Sequence, residues 1–191
     1  MSLQKVVSIE CPFCHKPFET DVYCSYNVQE EKGLDKIFSN EIVLHICPHC
    51  QKTVLYLTTF VFHDAEKSIL IFFYPNSRES TERIQENVDA VCKQKQVPSS
   101  YIKRIITTTY DDLKEKILIL ESGLDDRVCE VYKQHIQANN NAKSIRAVRF
   151  IIDQTLSPKG IAMFTDQAKP MVEFFDMNLY RSLEKQLQHL K

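Results

Sequence analysis

Long apolar runs, glycine and charge of one sign are all scarce in this chain. The longest apolar stretch, Ile69 to Tyr74, is far too short to cross a bilayer. No basic start is followed by an apolar run, so a secretory leader is not expected and the cytoplasm is the default compartment. Three glycines in 191 residues argue against a phosphate-cradling loop, and no G-x-x-x-x-G-K-[ST] occurs. The G-x-S-x-G, H-E-x-x-H and EF-hand patterns are missing as well. A formal net charge of -1 argues against a nucleic-acid or acidic-lipid partner. What is present is ordinary for a globular protein, 43% hydrophobic and 26% charged. That rules out a wholly disordered chain. A chain of this length buries roughly 70% of its unfolded surface, in one domain or two small ones.

Cysteine is plentiful. The seven are Cys11, Cys14, Cys24, Cys47, Cys50, Cys92 and Cys129. An odd number without a leader argues against a disulfide framework. Four of them sit in two similar pieces, Cys11-Pro12-Phe13-Cys14-His15-Lys16 and Cys47-Pro48-His49-Cys50-Gln51-Lys52, each reading C-P-x-C-x-K. Two such pairs supply four soft ligands for one tetrahedral ion, the pattern of a zinc site. A tight turn lets both thiolates of a pair reach the ion, and the proline presets part of it. Glycine would tolerate positive φ after the second cysteine, where His15 and Gln51 stand. Four thiolates around Zn²⁺ leave about -2 of charge, which Lys16 and Lys52 are placed to offset unless they are simply solvated. Four cysteines close the shell, so the zinc is expected to be structural, with no open catalytic position. The other readings are redox chemistry of a C-x-x-C pair and unconnected buried thiols. His15, His45 and His49 read as surface groups or supports outside the ligand set. Cys24, Cys92 and Cys129 read as small core residues.

Apolar periodicity orders the rest of the chain. Phe18, Val22, Cys24, Tyr26 and Val28 alternate as a half-buried strand. A short helical turn follows at Leu34, Ile37 and Phe38. Ile42, Leu44 and Ile46 alternate into the second cysteine pair, and Val54, Tyr56, Phe60 and Phe62 continue after it. The stretch to Phe62 and the run Ile69 to Tyr74 make a hairpin across the polar turn from His63 to Ser68. This hairpin is apolar on both faces, so it is either covered twice or meets another chain. Ile84, Val88, Val91 and Cys92 mark an amphipathic helix from Ser80 to Gln94. A short strand runs from Tyr101 to Thr107. Thr109 caps a helix with Leu113, Ile117 and Leu120 inward, and Gly123 ends it. Asp125 and Asp126 start another helix, to Gln137, with Val128, Val131, Tyr132 and Ile136 inward. They read as caps rather than catalytic carboxylates. Asn139 to Asn141 mark a loop. Three short strands follow, Val148 to Ile152, Ile161 to Phe164 and Val172 to Phe175, with a turn at Pro158-Lys159-Gly160. Tyr180, Leu183, Leu187 and Leu190 form a terminal amphipathic helix. His63-Asp64 reads as an exposed turn, not a catalytic pair.

The two C-P-x-C motifs, the aromatic hairpin and the helices after it together resemble the CpXC-domain family. Arg104-Ile105-Ile106, Leu113-Lys114-Glu115-Lys116-Ile117 and Gly123-Leu124-Asp125-Asp126-Arg127 extend the likeness over about the first 137 residues. The resemblance implies Cys11, Cys14, Cys47 and Cys50 as metal ligands, a prokaryotic source and a cytoplasmic protein, and it implies no particular activity.

The expected architecture is α+β. An N-terminal zinc ribbon with an antiparallel β-hairpin occupies residues 1–76. Helices and a small antiparallel sheet with a C-terminal helix occupy residues 77–191, separate from the first part or packed as one unit with it. The expected function is non-catalytic: one structural zinc in a binding or scaffold module, with a protein partner or a second copy meeting Tyr56, Phe60, Phe62, Phe72, Phe73 and Tyr74 of the hairpin unless these form core. The alternative is a nucleic-acid-binding zinc ribbon, for which Lys5, Lys16, Lys32, Lys36, Lys52 and Lys67 are matched by comparable numbers of acids. No small-molecule substrate is evident, and an enzyme would need a nucleophile–base pair that the sequence does not show.

Overall fold

A computed structural model describes residues 2–75, 77–139, 145–151, 160–165 and 171–188. The chain divides into two compact units, 1–114 and 115–191.

In the first unit, β1 (Leu3–Glu10) and β2 (Pro17–Asn27) form an antiparallel hairpin whose turn is the first cysteine motif. Two single-turn helices follow, α1 (Val28–Glu31) and α2 (Asp35–Phe38). A second hairpin, β3 (Leu44–Ile46) and β4 (Thr53–Leu55), carries the second motif in its turn. Then come β5 (Phe60–Asp64), β6 (Ile69–Phe73), α3 (Thr81–Gln94) and β7 (Ile102–Ile106). The strands join in the order β1-β2-β5-β6-β7, with β3 and β4 as a separate pair. The five-stranded sheet is mixed. β5 and β6 are antiparallel, but β2 runs parallel to β5, and β7 runs parallel to β6 after the crossover through α3. The expected division at 76 therefore falls inside this unit: α3 and β7 complete the sheet that the earlier strands begin.

β6, Ile-Leu-Ile-Phe-Phe, is buried at every position, as befits an inner strand covered on both faces. Leu70 and Phe72 pack against Ile84, Val88 and Cys92 of α3. On the opposite face Phe73 meets the rings of Phe60 and Tyr110 at 5.5 and 5.9 Å. Of the hairpin aromatics, Phe60, Phe62, Phe72 and Phe73 form core, while Tyr56 and Tyr74 are half-buried. Each buried phenylalanine contributes roughly 2–3 kcal/mol by removing its ring from water.

The unit boundary lies within α4 (Tyr110–Glu121). Thr109 starts this helix as expected. Its hydroxyl accepts from the Asp112 N–H at 3.2 Å, and the Asp112 carboxylate accepts from the Thr109 N–H at 3.0 Å. Gly123 stands beyond its end at φ +71°, where other residues would be strained.

The second unit contains α5 (Asp126–Asn139), β8 (Ile145–Ile151), β9 (Gly160–Thr165), β10 (Met171–Phe174) and α6 (Met177–Gln188). Its sheet is antiparallel, in the order β10-β9-β8, as expected. Val128, Tyr132, Val148, Phe150, Phe175, Tyr180 and Leu183 share one core. Two tyrosines in it turn their hydroxyls to helix starts: Tyr180 accepts from the Asp125 N–H at 2.8 Å, Tyr132 from the Asp176 N–H at 3.0 Å. Asp125 and Asp126 serve structure. Asp125 accepts from the Arg127 N–H at 2.9 Å, and Asp126, nearly fully buried, pairs with Lys116 at 3.0 Å. The expected turn at 158–159, Asn140, Asn141 and Leu190 lie outside the described residues.

Further details differ from the sequence reading. β1 was not anticipated, because its apolar residues do not alternate cleanly and only Ile9 is buried. Val28 leaves the strand pattern and opens α1. Cys24 is half-buried rather than core. Asp64 is buried rather than exposed: its Oδ1 accepts from the N–H groups of Glu66 and Lys67 at 2.9 and 3.1 Å, and from the Gln29 amide at 2.7 Å. The carboxylate thereby builds the hairpin turn from inside.

Candidate metal centre

Each cysteine motif makes the same turn. In the first, the Cys11 N–H donates to Lys16 O at 3.1 Å and the His15 N–H to Cys11 O at 2.9 Å. In the second, the Cys47 N–H donates to Lys52 O at 3.0 Å and the Gln51 N–H to Cys47 O at 2.9 Å. The turn brings His15 and Gln51 to φ 56° and 59°, the left-handed region. The repeated motif thus yields a repeated backbone, at a cost of about 1 kcal/mol for each non-glycine residue held there.

The two turns meet. The four Sγ atoms of Cys11, Cys14, Cys47 and Cys50 all lie within 4.8 Å of one another. Cys11 approaches Cys50 at 3.6 Å, and Cys14 approaches Cys47 at 3.8 Å. A tetrahedral ion with metal–sulfur bonds of about 2.3 Å holds its sulfurs about 3.8 Å apart, so the spacing fits a metal. Cys11 and Cys47 are buried, while Cys14 and Cys50 are half-buried. Ile9, Phe18 and Val54 pack around them.

The four thiols act on one another's titration. Burial pushes Cys11 up, but N–H donors from Phe13 and Cys14, with the Cys50 thiol, outweigh it and bring the group down to about 6. The Lys16 N–H favours the Cys14 thiolate, yet burial and the three neighbouring sulfurs carry Cys14 up to about 11. Cys50 also rises: burial and the sulfurs of Cys11 and Cys47 overcome the Lys52 N–H. One thiolate makes the next harder to form, and a cation at the centre reverses that.

The second cysteine turn also sets a strand register. Ile42, Leu44 and Ile46 are expected inward; Ile42 is buried, but so are Val43 and His45, while Leu44 is 39% and Ile46 66% exposed. Side chains alternate along a strand, so Cys47 carries His45 and Val43 with it toward the first hairpin. Three contacts between the hairpins escaped the sequence reading. His45 Nδ1 meets the Thr20 hydroxyl at 2.8 Å, His49 Nε2 donates to Pro17 O at 3.1 Å, and Lys52 Nζ lies 4.7 Å from the centre of the Phe13 ring. None leaves a signature in sequence, because each joins residues far apart in the chain. His15 and His49 are exposed, as expected, whereas burial of His45 lowers its pKa. Lys16 is exposed.

A cavity of about 420 Å³ lies between Asn40, Leu44, Leu55, Tyr110 and Lys114. Its ammonium group is held by Asp111 at 2.7 Å and by Asn40 at 3.1 Å. No helix among the described residues is long and apolar enough to cross a membrane.

Comparison with curated proteins finds no match, and comparison with solved structures finds none. The family model described as CpXC protein matches residues 9–133, both cysteine motifs included, and the chain belongs to that family.

Proposed function

We propose that Cys11, Cys14, Cys47 and Cys50 bind one Zn²⁺ that fastens the β1–β2 hairpin to the β3–β4 hairpin as a zinc ribbon, and that the protein is a non-catalytic binding or scaffold module of the prokaryotic cytoplasm. The observation that carries this reading is the convergence of four sulfurs, two from each hairpin turn, at tetrahedral spacing. Soft thiolates in a tetrahedral set favour zinc, and a filled shell leaves no position for substrate. When bound, the ion supplies cross-linking and charge neutralisation. The outward apolar side chains Leu44, Ile46 and Leu55 on the second hairpin support a role in protein contact.

Metal analysis of the purified protein beside Cys11→Ser and Cys47→Ser tests the assignment. One zinc per chain in the wild type, lost in both variants, is the expected result. A metal-free wild type with freely reactive thiols overturns it.

A further inference from the structure

Asn27, the last residue of β2, caps α1. Its Oδ1 accepts from the N–H of Gln29 at 3.1 Å and of Glu30 at 3.3 Å. That role orients the side-chain amide, so the Nδ2 group is the one that faces His63 Nδ1, 3.1 Å away. An NH₂ group only donates, so His63 Nδ1 must accept, and an imidazole nitrogen accepts only when it carries no proton. The proton of the neutral ring then belongs on Nε2, which meets the Tyr101 hydroxyl at 3.4 Å. The ring also stacks on Tyr101, with centroids 5.8 Å apart. Asn27 is 7% exposed, and its own N–H donates to the Ser2 hydroxyl at 2.9 Å. The pair therefore joins α1, the residue before β1, and β5. A second proton on the ring sets one donor against another. Asn27 must then give up either the helix cap or His63.

We propose that Asn27 and His63 form a proton-operated latch, closed on α1 while His63 is neutral and opened when the ring takes up a second proton. The charges around the ring do not remove the effect. Asp64 on β5 and Glu30 on α1 favour the charged ring, against its burial. β6 places the uncharged Leu70 opposite His63. Burial dominates, and the pKa of His63 lies below its ordinary 6.5. The unfolded chain thus binds the proton first. Stability from the latch is whole above pH 6.5, falls as pH drops through 6.5, and levels off below the folded pKa. His45 titrates in the same direction, so the test must read His63 itself.

The test is ¹⁵N NMR of the full chain, zinc-replete, between pH 8 and 5.5. The expected result is a neutral His63 with its proton on Nε2, titrating below 6.5. Protection of the Gln29 and Glu30 amides, corrected for intrinsic exchange, should fall by up to about tenfold between pH 7.5 and 5.5. Asn27→Asp keeps an equally good cap but turns the facing donor into a carboxylate acceptor. In that variant His63 should titrate above 6.5 and the pH dependence should reverse. A wild-type proton on Nδ1, a wild-type pKa at or above 6.5, or an unmoved pKa in Asn27→Asp overturns the latch. So does a loss of α1 protection that occurs only together with loss at Cys11 to Lys16, since that would report metal release by acid. If Asn27→Asp does not fold, the wild-type tautomer and pKa still decide.

Discussion

Stripping the metal from the folded protein should melt the β3–β4 hairpin and leave β5, β6 and α3 in place. The strands of this hairpin are three residues each, and a two-stranded hairpin is marginal in water. Ordering residues 44–55, twelve in all, costs about 12–24 kcal/mol at 1–2 kcal/mol per residue. The apolar groups around the cysteines, Ile9, Phe18 and Val54, return about 5–9 kcal/mol. The gap, about 3–19 kcal/mol, brackets the 10–16 kcal/mol that a structural zinc supplies. Hydrogen exchange read by mass spectrometry, with and without a strong chelator, measures the outcome. Peptides covering 44–55 should lose protection on chelation, while peptides covering 69–73, buried on both faces, should keep it. If the stripped protein protects 44–55 as well as the loaded one, the hairpin stands on its own packing and the reasoning fails.

Three further outcomes are expected. His15→Gly and Gln51→Gly, relieving left-handed backbone in both turns, should leave stability unchanged or raise it by up to about 1 kcal/mol each, read as urea midpoints of loaded protein; a loss beyond that would mean the side chains contribute to the site. Glu115 is buried and accepts from the Phe150 N–H at 2.7 Å and from Lys133 at 3.1 Å, so Glu115→Leu should cost about 3 kcal/mol in chemical denaturation, and an unchanged midpoint would show that the carboxylate is dispensable. A thiol reagent should leave Cys129 untouched in the native protein, because burial raises that group to about 12, and chelation should expose four further thiols, those of the two turns; reaction at Cys129 before unfolding would contradict its burial.

Local signals carried much of this fold. Ser80 and Thr109 mark helix starts because a side-chain oxygen beside free N–H groups acts within one turn of chain. The continuous apolar run of β6 announces a strand covered twice. Alternation failed at Leu44 and Ile46, because the demand that Cys47 face the first turn outranks the burial of two side chains. It failed again at β1, where pairing with β2 makes the strand and little apolar surface is buried. His63 and Asp64 looked like an exposed turn because nothing in a linear reading brings Asn27, Gln29 and Tyr101 to them.

The amino-acid order alone singled out the four cysteines that cluster and the shape of the turns that hold them, since a C-P-x-C turn is closed by hydrogen bonds within six residues. Tertiary structure decided how far apart the two turns lie, which face of β3 points inward, and that the sheet is mixed. These outcomes depend on the strand order β1-β2-β5-β6-β7 and on packing between distant segments, which sequence spacing does not encode.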